Sequence, residues 1–104
     1  MWGAIAQVGE TMSVEITRFC LYNGGKGNAL AFADVVVRDG DRVYVYNDVK
    51  LYRDGAGLKI SPRQVPTEYG WAFAYLIPRV FQDPIRRALV ERYEAELAGQ
   101  LILI

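Results

Sequence analysis

The 104-residue chain has no histidine. The side chain best suited to titrate near neutral pH is therefore missing, and so is the commonest metal ligand; histidine-based catalysis and histidine metal sites are excluded. Cysteine occurs once, at Cys20. No intramolecular disulfide can form, which points to a reducing, cytoplasmic setting. Cys20 lies in an apolar strand pattern with no basic partner in view, so it is expected to be a small buried hydrophobe. Excess charge is absent too, because twelve Lys and Arg balance twelve Asp and Glu. A strongly basic chain would have signalled a nucleic-acid partner; here only a local patch can. No apolar run reaches the roughly 18 residues of a membrane span, so no membrane partner is expected. Residues 1–9 lack the basic and apolar regions of a signal peptide.

What is present is apolar: 52% of the residues are hydrophobic, enough for one domain around one core. Met12 is a candidate start for that domain. The expected organisation is an extension or arm over residues 1–11, the domain over 12–99, and an apolar tail over 100–104 that ends in "LILI" (Leu101–Ile104).

Val14–Tyr22 is rich in strand formers, and its apolar parity switches midway (Val14 and Ile16, then Phe19 and Leu21). Such a switch predicts a bulge, or cover on both faces. "NGGKGN" (Asn23–Asn28) reads as a turn and Ala29–Arg38 as the returning strand; "RDGDR" carries the Asp-Gly hairpin signal. Arg42–Tyr52 alternates, with Val43, Val45, Val49 and Leu51 assigned to one face, and Tyr44, Tyr46, Asp48, Lys50 and Tyr52 to the other. "RDGAG" is a further turn before a short strand, Leu58–Ser61. After an irregular loop holding Pro62, Arg63 and Pro66, Trp71–Ile77 reads as a fifth strand. Asp83-Pro84 reads as a helix start, Ile85, Ala88, Leu89, Tyr93 and Leu97 recur at helical spacing, and Gly99 is a candidate C-cap. The expected fold class is α+β: an antiparallel meander of about five strands with one long C-terminal helix packed against it.

One helix covers one sheet face. The tyrosine face of Arg42–Tyr52 then needs cover, and a homodimer is expected, with Tyr44, Tyr46, Tyr52 and Trp71 as interface candidates. The alternative for Tyr44, Tyr46 and Tyr52 beside Lys50 is a platform on which bases stack.

The catalytic and metal signatures are weak. "GGKGN" lacks the spacing of a P-loop and sits between strands. Asp34, Asp39, Asp41, Asp48 and Asp54 do not fall at calcium-loop spacing. Turn chemistry accounts for Asp39, Asp41 and Asp54. Asp34, flanked by Ala33 and Val35, is expected to face solvent, the alternative being a partnered buried acid. No catalytic residue, cofactor, metal or small-molecule substrate is expected, and the chain does not read as an enzyme. The arginines are more suggestive: Arg63 in the loop, Arg79 after the last strand, and Arg86, Arg87 and Arg92 on the helix. They fit phosphate contacts, or a solvated helix face with Arg87–Glu91 and Arg92–Glu96 pairs.

The order of elements resembles a known family. Met12–Ser61, with its Gly-containing hairpin, its "AFADVVV" return strand and its "VKLYRDGAGLKISP" segment running to Pro62, is similar to the first half of the SpoVG (stage V sporulation protein G, or septation-regulator) family. "LIPRVFQDPIRRALVERYEAEL", Leu76–Leu97, is similar to its closing strand, His-Pro-Ile-type turn and terminal helix. The resemblance implies a small cytoplasmic bacterial regulator that dimerises and binds DNA or RNA. It implies contacts from basic residues in the loop after the short strand and from the helix, here Lys59, Arg63, Arg79, Arg86 and Arg87, with Lys50 as a further candidate. Relatives carry Ser-Lys-Arg or Ser-Lys-Lys after the proline where this chain has Arg63-Gln64-Val65, and Arg-Asp where it has Phe73 and Ala74. The alternative reading is a dimeric protein-interaction module, using the aromatic segment Tyr69–Tyr75, that has lost nucleic-acid binding.

Overall fold

The structure, a computed structural model, describes residues 5–8, 11–22 and 27–103 of the chain. A five-stranded antiparallel sheet forms a continuous meander of β1 (Ile5–Val8), β2 (Met12–Leu21), β3 (Ala29–Asp39), β4 (Arg42–Asp54) and β5 (Gly57–Ser61). A separate hairpin follows, β6 (Gln64–Thr67) and β7 (Gly70–Phe73), and then α1 (Arg79–Leu103). The α+β class and the helix packed on the sheet agree with the sequence reading. The tight β3–β4 and β4–β5 turns rest on Gly40 and Gly55, whose φ angles of 64° and 62° suit a residue without a Cβ.

The core lies between the sheet and α1. Val14, Ile16, Val35, Val37, Val49 and Leu51 from the strands meet Phe81, Ile85 and Leu89 from the helix, all fully or almost fully buried. Each such side chain contributes on the order of 1.5–3 kcal/mol by leaving water, so the i, i+4 stripe of α1 fixes the helix to one face of the sheet.

Two bulges set which residues look away from the helix. Val35 pairs with Ile16 and Asp34 with Arg18, so Thr17 is an extra residue on β2. Val35 also pairs with Tyr46 while Ala33 pairs with Val49, so Asn47 and Asp48 of β4 stand opposite Asp34 alone. Asp48 adopts a φ of 57°, a conformation that Asp tolerates better than most residues. The predicted parity switch in β2 is thus a bulge.

The β4 bulge overturns the expected assignment of its faces. Tyr46 is buried and Tyr44 half-buried on the helix side, where Tyr44 packs against Phe81 with ring centroids 5.0 Å apart. Val43 and Val45 point the other way, at 58% and 59% exposure. Beyond the bulge Val49 and Leu51 return to the core, leaving Lys50 and Tyr52 outside. Strict alternation had put all three tyrosines on one face; one extra residue separates Tyr44 and Tyr46 from Tyr52.

Other expectations are corrected as well. Ile5–Val8, within the segment expected as an arm, pairs with β2 as an edge strand. Trp71–Ile77 is not a fifth sheet strand: β7 ends at Phe73 and pairs only with β6. Cys20 is exposed, because the β2 bulge turns Phe19 and Leu21 inward and Cys20 outward. The helix starts at Arg79, ahead of Asp83-Pro84, and runs through Gly99 to Leu103. Its first turn is closed by the Phe81 N–H donating to the Pro78 carbonyl at 2.9 Å, while Phe81 itself is buried. Pro84 therefore lies one turn inside, where it forgoes the N–H bond to Val80. Most of the expected Asn23–Asn28 turn, and Ile104 with the side chains of the "LILI" tail, lie outside the described residues.

Candidate functional site

The helix-free face of the sheet is organised around Asp34. Arg18 clasps its carboxylate with two charge-assisted hydrogen bonds, Nε to Oδ2 at 2.8 Å and Nη2 to Oδ1 at 3.0 Å. The same guanidinium reaches the Asp48 carboxylate, and its Nη1 donates to Cys20 Sγ at 3.3 Å. The Asp48 backbone N–H donates to Asp34 Oδ1 at 2.9 Å. Asp34 is thus the partnered acid of the two expectations, half-buried instead of facing open solvent. The hydrogen bonds from Arg18 hold its carboxyl below the usual carboxylate range, against the opposing cost of burial. The two bulges bring these groups together, since each supplies the residue, Arg18 or Asp48, that reaches Asp34 from a neighbouring strand.

Beside this network, where β5 leads into the hairpin, lies a cleft of about 420 Å³, lined by Phe32, Asp48, Lys50, Arg63, Gln64 and Trp71, with Pro62. Its volume falls within the roughly 300–1,000 Å³ of ligand sites. Lys50 leans over the Tyr52 ring, 5.3 Å from its centroid, and Tyr22 packs edge-on to Phe32 at 5.6 Å. Among the described residues neither Lys50 nor Arg63 has a carboxylate within ion-pair distance. The one carboxylate in the lining, Asp48, is engaged by Arg18. Counting Arg18, Lys50 and Arg63 against Asp34 and Asp48 leaves one positive charge in surplus.

The hairpin wall of the cleft is fixed at its base. The Ala74 N–H donates to the Arg63 carbonyl at 2.7 Å, and the Tyr75 hydroxyl donates to the Asn47 carbonyl at 2.7 Å, from within the β4 bulge. Tyr75 also packs on Tyr46, with ring centroids 5.4 Å apart. Arg63 and Trp71 are therefore held relative to Lys50 and Asp48, while the outer hairpin exposes Tyr69, Trp71 and Phe73 at 93%, 72% and 51%.

The six predicted phosphate-contacting residues divide into two groups. Lys50 and Arg63 line the cleft above. Lys59, Arg79 and Arg86 line a second, shallower depression of about 320 Å³ with Gln82 and Asp83, where the edge of β5 meets the start of α1. There the charges are largely spent internally: Lys59 pairs with Asp54 at 2.7 Å, and Asp83 takes both Arg86 at 2.6 Å and Arg87 at 2.8 Å. Arg87 lies outside both depressions and turns to Asp83, not to the predicted Glu91; the predicted Arg92–Glu96 pair forms at 3.0 Å.

Of the four interface candidates, Trp71 and Tyr52 are on the outer surface, whereas Tyr46 is buried in the core and Tyr44 is half-buried against it on the helix side. Phe32 and Gln64 were missed. The alternation of Ala31, Ala33, Val35 and Val37 was the available signal for Phe32, because it leaves Phe32, Asp34, Val36 and Arg38 on the other face. Among the described residues no group of three or more Asp, Glu or Cys is placed to hold a metal ion, and no helix is long and apolar enough to cross a membrane. No protein-family model, curated protein or solved structure matches this chain.

Proposed function

We propose that this chain is a non-enzymatic nucleic-acid-binding protein, a cytoplasmic regulator of SpoVG type, and that its principal contact is the cleft between β4 and the β6–β7 hairpin. The observation that carries this reading is the placement of Lys50 and Arg63, both without a carboxylate partner among the described residues, beside Phe32 and Trp71. Unpaired cations next to exposed aromatic rings suit a polyanion that also carries flat bases. Arg79, with no ion pair of its own among the described residues, extends the basic surface toward the start of α1. The sequence resemblance to SpoVG proteins supports the same assignment.

Two copies are proposed to associate through the aliphatic strip of Val36, Val43 and Val45 on the uncovered face. This strip is preferred to the tyrosine interface, since Tyr46 is buried and Tyr44 packs on Phe81 on the helix side, away from Tyr52.

The test is fluorescence anisotropy with labelled oligonucleotides over a salt series. Binding should weaken as salt rises, and Lys50→Ala and Arg63→Ala should each flatten the log–log slope by about 0.7–0.9, the share of one phosphate contact. Folded protein that binds neither DNA nor RNA at about 50 mM salt would rule the proposal out. The exposed aromatics of the hairpin favour a second reading, a protein-interaction surface at Tyr69 and Trp71. Under that reading Tyr69→Ala abolishes a partner complex while the nucleic-acid assay stays blank.

A further inference from the structure

We infer that the cleft selects unpaired bases, so that the chain binds single-stranded nucleic acid in preference to duplex. This rests on the nucleic-acid reading above and specifies its substrate. Trp71 is 72% exposed and yet lines the cleft, so its ring is available to a flat ligand without unfolding anything. Phe32 lies in the same lining, on the sheet side, and Gln64 brings an amide that can both donate to and accept from a base edge. Lys50 and Arg63 stand within the same cleft, where they can meet the phosphate attached to a base held there. A base in a duplex has both faces stacked on its neighbours and can offer none to Trp71; an unpaired base offers its whole face, whatever its identity.

The cleft is built before the ligand arrives. The Ala74–Arg63 bond closes the base of the hairpin and Tyr75 ties that base to the β4 bulge, so little ordering remains to be done on binding. Arg18 contributes from behind by engaging Asp48, which offsets part of the repulsion between that carboxylate and a phosphate.

The experiment compares a fluorescein-labelled oligo(dT) of about 12 nucleotides, within the site sizes of single-strand binders, with a labelled duplex of equal length, on the full chain at a fixed low salt. Wild type should bind the single strand several-fold tighter. Trp71→Ala should cost about 5- to 150-fold on the single strand, the range found when one stacking aromatic is removed. The salt slope should not change, because no charge is removed, and Trp71→Phe should recover most of the loss. Circular dichroism checks that each variant is folded, as the exposure of Trp71 implies. Equal affinity for single strand and duplex, with Trp71→Ala binding as wild type, would overturn base selection and leave the phosphate-directed reading in place. Absence of binding to either oligonucleotide, and to an RNA single strand of the same length, would remove both.

Discussion

Replacing Asp34 with asparagine tests the polar network that holds the uncovered face together. The amide keeps an oxygen for the Asp48 N–H, now bound at 2.9 Å, but gives up the charge that receives Arg18 Nε and Nη2. A hydrogen bond to a charged group is worth about 1.5–3 kcal/mol when shielded, and an exposed ion pair about 0–1 kcal/mol. Asp34 retains 24% of its side-chain exposure and Arg18 41%, which places the pair between these limits. Asp34→Asn should therefore cost about 1–2 kcal/mol at pH 7, equivalent to roughly 5–10 °C in Tm for a domain of this size. The pH dependence carries the sharper test. Asp34 titrates lower in the folded chain than in the unfolded one. Its stabilisation is thus complete above the ordinary aspartate pKa of about 3.9, and is lost as pH falls through the depressed folded value. In urea titrations from about pH 7 to about pH 2.5, the gap between wild type and variant should hold down to about pH 4 and then close. A gap that stays constant to about pH 2.5, or one below about 0.3 kcal/mol at pH 7, would refute the assignment of Asp34 as the ionised anchor of Arg18.

Asp48→Asn removes the one carboxylate that the described residues place in the cleft lining and keeps a residue that accepts a positive φ. Oligonucleotide affinity at low salt should rise about two- to fivefold and the gain should vanish near 1 M salt, where screening acts over about 3 Å; unchanged affinity at low salt would argue against phosphate binding there. Val45→Glu, at a side chain 59% exposed, should leave urea stability within about 0.5 kcal/mol of wild type. It should nevertheless shift the mass measured by light scattering from dimer to monomer; a wild type already monomeric, or a variant still dimeric, removes the valine strip as an interface.

The parts of the fold governed by local chemistry were legible in the sequence. The Asp-Gly turn, the alternation of β3 and the helical stripe from Ile85 to Leu97 each carry their own signal, so the meander and the helix packed on it could be read. Where two local rules competed, the reading failed. "DP" at Asp83-Pro84 is a good helix start, but burial of Phe81 with the Phe81–Pro78 bond starts the helix earlier. Trp71, Phe73 and Tyr75 alternate as a strand should, yet β7 finds only β6 to pair with and leaves its aromatics in solvent. The candidate site was legible as a set of basic residues but not as a place. Which cations remain free depends on which of several permitted local pairs forms: Asp54 takes Lys59 across the β4–β5 turn, and Asp83 takes both Arg86 and Arg87 at i+3 and i+4, where Arg87 also had Glu91 at the same spacing. The β4 bulge was the costliest omission, because Asn47 breaks the Val–Tyr alternation without saying on which side the count resumes.

The paired bulges also concentrate the chain's tolerance to changes of length. Within the regularly paired stretches of β2, β3 and β4 the loss of one residue would turn every side chain on one side of the cut to the wrong face. At Thr17 or Asn47 the extra residue is already outside the pairing count. Deleting either would straighten a strand and leave Val14, Ile16, Tyr46 and Val49 where they are. A lineage carrying this fold could lose a codon at these two points and keep its core. The cleft would change, since Asp48 and the carbonyl that anchors Tyr75 both belong to the bulge.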